Sequence, residues 1–89
     1  MPLTLQVVTS RGVALREEGL DSIVVRRRED DHVPGSEIAI CRHHANLLMQ
    51  TQRSSVRLTR GAETWTVDSD AGVLEVRGDE VTLAVTGDS

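Results

Sequence analysis

The chain has 89 residues, 38% apolar and 27% charged, with one aromatic side chain, one cysteine and a formal net charge of -4. A chain of that size reads as one small domain over residues 1–89, burying about 60 to 65% of the surface its unfolded form exposes. A single thiol excludes an internal disulfide framework, and no run approaches the roughly 18 consecutive apolar residues of a membrane-spanning helix.

Period-two alternation dominates the chain from its start. Leu3, Leu5 and Val7 fall on one face of a first strand, and Ser10-Arg11-Gly12 reads as the turn that ends it. A second strand is predicted from Val13 to about Glu17, where Gly19 interrupts. Ile23-Val24-Val25 is a short β-branched run that suits a strand buried on both faces. The segment from Arg26 to Gly35, with Glu29, Asp30, Asp31 and His32, has no apolar period and ends in Pro34-Gly35, so it reads as an exposed loop or long hairpin tip. Ile38 and Ile40 then alternate with Glu37 and Ala39 in a short strand, and the stretch from His43 to Gln50 offers the one plausible helical turn.

The second half alternates more cleanly. Val56 and Leu58 give one strand, Arg60-Gly61-Ala62-Glu63 a hairpin loop, and Trp65 and Val67 the returning strand. Ser69-Asp70-Ala71-Gly72 turns again, Leu74 and Val76 form the next strand, and Arg77-Gly78-Asp79-Glu80 leads to Val81, Leu83 and Val85. About eight to ten short strands with turn signals every 8 to 12 residues predict an all-β fold, a flattened antiparallel sandwich or barrel.

The acidic balance and the single tryptophan argue against nucleic acid, which calls for a basic surface and stacking platforms. No glycine-rich loop opens a helix, so nucleotide binding has no local support. The N-terminus lacks the basic and apolar regions of a signal peptide, which predicts a cytosolic protein. Cys41-Arg42-His43-His44 holds ligand types that zinc or copper prefer, and a small metal-dependent β-barrel enzyme using Cys41, His43 or His44 is the alternative reading. The spacing is poor for it: adjacent histidines on a strand point to opposite faces, and the paired zinc spacings are absent, which favours a structural or interface role with a buried, inert Cys41. Arg77-Gly78-Asp79 spells an integrin-ligand tripeptide, but a hairpin turn between two strong strands explains the same residues.

Taken in order, six segments resemble the N-terminal β-sandwich domain of the epsilon subunit of F-type ATP synthases, called delta in mitochondria. They are Leu5-Gln6-Val7-Val8-Thr9, Asp21-Ser22-Ile23-Val24-Val25, Gly35-Ser36-Glu37-Ile38-Ala39-Ile40, His44-Ala45-Asn46-Leu47-Leu48, Ala71-Gly72-Val73-Leu74-Glu75-Val76 and Asp79-Glu80-Val81-Thr82-Leu83-Ala84. The departures are equally specific. The family's Pro-Gly pair before the histidine is Arg42-His43 here, Asn46 stands for its proline, and Asp70-Ala71 loosens its Gly-Gly turn. The resemblance implies a non-catalytic rotor subunit without cofactor, packed beside the gamma subunit and seated on the c-ring, and thus peripheral on the inner face of the membrane. Carried over by position, Glu37 matches the acidic residue facing the ring and His44 the histidine near gamma. An adaptor of the same fold, binding another partner through its charged loop, is a further alternative. Many relatives continue into a two-helix C-terminal domain that inhibits hydrolysis and in some bacteria binds ATP; at 89 residues the chain has the length of the sandwich alone, and neither activity is expected of it.

Overall fold

A computed structural model describes residues 2–28 and 35–85, which form nine strands. The charged stretch Glu29 to Pro34, predicted as a loop tip, lies outside the described residues. In chain order the strands are β1 (Leu3–Thr9), β2 (Gly12–Leu20), β3 (Ser22–Arg26), β4 (Glu37–Cys41), β5 (Leu47–Thr51), β6 (Ser54–Arg60), β7 (Glu63–Ser69), β8 (Gly72–Arg77) and β9 (Glu80–Val85). They stack as a five-stranded sheet, β2-β1-β9-β8-β5, against a four-stranded sheet, β4-β3-β6-β7. The all-β sandwich read from the alternation is the observed architecture.

The pairing is antiparallel except between β1 and β9, which run parallel with Thr4 opposite Glu80 and Val8 opposite Ala84. An entirely antiparallel sandwich is therefore corrected at one central pair. The parallel partners are the first and last strands of the chain, and nothing local in either one announces a pairing across so much intervening sequence. The predicted interruption at Gly19 is a bend rather than an end. Leu3 pairs with Leu20 and Leu5 with Glu17, so β2 carries extra residues opposite β1, and Gly19 takes the positive φ of 71° that such a bulge favours.

The core is wholly aliphatic. Leu3, Leu5, Leu20, Ile23, Ile40, Leu58, Leu74 and Leu83 are essentially sealed from solvent, with Val25, Val56, Val76 and Val81 completing the layer. Each such side chain contributes roughly 1.5 to 3 kcal/mol by burial, which is how a small domain holds together with one aromatic residue. Strand β3 buries Ile23 and Val25 but leaves Val24 half exposed on the outer face, so the expectation of burial on both faces is corrected to burial on one. The predicted helical turn near Leu47 is also corrected. Leu47, Leu48 and Met49 pair with Val76, Glu75 and Leu74 of β8, and a short apolar run of that kind is decided by the partner it finds.

The hairpin predictions at Ser10-Arg11, Gly61-Ala62 and Gly78-Asp79 all fall between paired strands. The ladders sort these connections into two ends of the sandwich. One end carries the Gly61 and Gly78 turns, the β2–β3 corner at Asp21 and the β4–β5 connection. The other carries the Ser10-Arg11 turn, the ends of β3 and β7 and the start of β8.

Candidate functional site

Glu37 and His44, the residues singled out by resemblance, lie toward opposite ends of β4. Glu37 opens the strand, is exposed, and stands across the ladder from Arg26. Four residues later β4 ends at Cys41, a span of about 13 Å at the usual strand rise. There the chain reverses in a tight turn, with the His44 amide donating to the Cys41 carbonyl at 3.2 Å. His43 sits in the third position of that turn with φ of 64°, which is the type II pattern and the position where glycine is normally preferred. Arg42-His43 thus makes a turn of the kind a Pro-Gly pair makes.

His44 is half buried just beyond it, and its ring Nδ1 donates to the Ala45 carbonyl at 2.7 Å, which holds the ring against its own backbone. Asn46 then anchors the segment to the neighbouring hairpin, its Oδ1 accepting from the Gly78 amide at 3.0 Å. Arg77-Gly78-Asp79 is accordingly part of a structural tie, with Gly78 at a positive φ of 60° and the Asp79 carbonyl accepting from Thr4.

Cys41 is exposed, not buried. The parity of β4 explains it: Ile38 and Ile40 turn inward, so Glu37, Ala39 and Cys41 turn outward. That signal was available in the alternation. Among the described residues no group of three or more histidine, cysteine or acidic side chains, Cys41, His43 and His44 included, is placed to hold a metal ion.

Recesses open on the surface of the sandwich, and two of them bear on function. A polar notch of about 460 Å³ is lined by Arg53, Ser54, Ser55 and Asp68 to Asp70. Its groups engage one another, Ser55 donating to Asp68 at 2.8 Å and Arg53 lying 3.6 Å from Asp70. A second, more apolar slot of about 300 Å³ opens between β2 and β7, where Val7, Leu15, Val67 and Val85 are only partly covered.

Three further features lie outside the residues singled out above. Leu48 is 69% exposed on the outer face of edge strand β5. Arg60 joins the two sheets, its guanidinium reaching Glu17 at 3.0 Å and the Glu18 carbonyl at 2.8 Å while lying 5.1 Å from the Trp65 ring centroid. Strand β7 presents a bare edge. Leu48 was readable as the odd member between inward Leu47 and Met49, but Arg60 and Glu17 meet across 43 positions and carry no local signature.

No protein-family model matches the sequence, and no curated protein does. Among solved structures, the chain is similar to one in the cryo-EM structure of the Tetrahymena thermophila mitochondrial ATP synthase central stalk and c-ring. The similarity has a TM-score of 0.68 at 12% identity and covers 98% of this chain. The chain spans 65% of the length of that neighbour. At such identity the likeness is one of fold.

Proposed function

We propose that the chain is a non-catalytic rotor subunit of an F-type ATP synthase, of the epsilon kind, forming a single sandwich domain that contacts the gamma subunit and the c-ring. The observation that carries this reading is the fold likeness to a central-stalk chain over 98% of the present sequence. The six sequence segments that resemble the epsilon sandwich in order and spacing support it. In this reading Glu37 faces the c-ring and His44 faces gamma. Their separation suits a spacer between two partners: an exposed carboxylate on one end of the sandwich and an imidazole, held by its own backbone, toward the other. Charged contacts of that exposed kind act more on orientation and on-rate than on affinity. The subunit needs no cofactor and sits at the inner membrane face through the complex; among the described residues no helix is long and apolar enough to cross a membrane.

Co-expression with the gamma subunit and c-ring of the same organism tests the assignment. A stoichiometric complex with gamma is expected, and His44→Ala is expected to weaken it while Glu37→Lys leaves gamma binding intact and slows capture by the ring. Absence of any association with gamma at micromolar concentration overturns the reading in favour of an adaptor with another partner.

A further inference from the structure

Among the described residues the sandwich has four edge strands, two in each sheet, and they are not equally protected. Strand β2 is broken by two register irregularities and carries Arg16, Glu17 and Glu18. Strand β5 is covered over part of its length by the main chain of Arg26 to Arg28. Strand β4 is five residues long and opens on Glu37. Bulges, charges, short length and covering segments are the devices that keep an edge from pairing with another chain.

Strand β7 is neither bulged nor short, among the described residues no segment covers it, and its charges are two acids toward its ends, Glu63 and Asp68. Seven residues, Glu-Thr-Trp-Thr-Val-Asp-Ser, pair with β6 in unbroken register from Ser54 opposite Ser69 to Arg60 opposite Glu63. The run is rich in β-branched and aromatic side chains, contains no proline or lysine, and among the described residues receives no backbone bond on its outer edge. It is also self-complementary. Laid antiparallel against itself about Thr66, it sets Thr66 opposite Thr66, Trp65 opposite Val67, Thr64 opposite Asp68 and Glu63 opposite Ser69. No like charges face each other, and aromatic with β-branched, and threonine with threonine, are favourable cross-strand pairs.

We propose that this chain self-associates through β7, a second copy adding antiparallel about a two-fold axis at Thr66 to join the two four-stranded sheets into one. The contact is isologous and closed, so it yields a dimer rather than a fibre. One strand pair makes a small interface, which places the dissociation constant at the weak end, roughly 10 µM to 1 mM. The inference stands apart from the rotor assignment, since it rests on the free edge alone.

Sedimentation of the full chain from about 10 µM to 1 mM, followed in parallel by tryptophan emission, tests it. The wild-type chain is expected to pass from monomer to dimer while the half-buried Trp65, its one aromatic side chain, shifts to shorter wavelength. Two exposed positions distinguish the register. Thr66→Lys sets two lysines against each other and should raise the dissociation constant roughly ten-fold, whereas Thr64→Lys places lysine opposite Asp68 of the second copy and should lower it or leave it unchanged. A wild-type chain that stays monomeric at the highest concentration, or two lysine variants that weaken association equally, overturns the proposal.

Discussion

At the β5 edge the two sheets are joined by main chain. Arg27 bridges to Thr51, the Arg28 amide donates to the Gln50 carbonyl at 3.0 Å, and the Gln52 amide donates to the Arg26 carbonyl at 3.1 Å. At the opposite β2 edge side chains do most of the joining. Arg60 holds Glu17 and the Glu18 carbonyl and lies over Trp65, and Asp21 accepts from the Gly61 amide at 2.7 Å, with one main-chain bond from the Asp21 amide to the Thr59 carbonyl. One edge depends on where the backbone runs and tolerates many side chains. The other depends on particular side chains and tolerates few. The difference predicts which substitutions matter at each.

The largest effect is expected where the main-chain junction meets the core. Thr51 is buried, pairs with Gly72, and donates from its hydroxyl to the Gly72 carbonyl at 3.3 Å. Gly72 itself is buried, and a Cβ there would run into the carbonyl group of Ala84 on β9. Backbone cannot rotate away as a side chain can. Gly72→Ala should therefore cost about 3 kcal/mol, a fall in melting temperature of roughly 12 to 24 °C by thermal denaturation.

Next come paired substitutions that set the two edges against each other. Arg28→Ala removes an exposed side chain and should change stability by no more than about 0.5 kcal/mol, whereas Arg28→Pro removes the donor to Gln50 and should cost about 2 kcal/mol. At the other edge the truncation alone suffices. Arg60→Ala loses the ion pair, the carbonyl bond and the ring contact together, for a cost of about 1.5 kcal/mol, held down by the partial exposure of Arg60 and Glu17. Denaturant titration measures all three. Equal costs for Arg28→Ala and Arg60→Ala would erase the distinction.

The same contrast separates what was legible in the sequence from what was not. Strands β6 to β9 and their hairpins follow from alternation and turn residues, because each pairs with its sequence neighbour and the pattern is local. The parallel β1–β9 pair, the strand at Leu47 to Thr51 and the Arg60 junction are decided by partners far away in sequence, where alternation says which face is buried but not against what. Of the candidate site residues, the outward face of Glu37 and Cys41 was readable from Ile38 and Ile40. The ring orientation of His44 was not, since it depends on a turn that Arg42-His43 does not announce.

That turn gives the smallest and most specific test of whether main-chain conformation can be kept while its usual residues are lost. His43 adopts a φ of 64° that a side chain with a Cβ holds at a cost of roughly 1 to 2 kcal/mol. His43→Gly relieves that cost but adds unfolded-chain freedom worth about 0.5 to 1 kcal/mol, so the net gain should be about 0.5 kcal/mol. A β-branched residue suffers the same backbone and brings a stiffer side chain, so His43→Val should destabilise by about 1 kcal/mol. The signs, read from denaturant midpoints, carry the argument. A loss on His43→Gly would mean that the imidazole itself supports the turn, and this junction would then belong with the Arg60 edge, where side chains decide, rather than with the backbone-determined one.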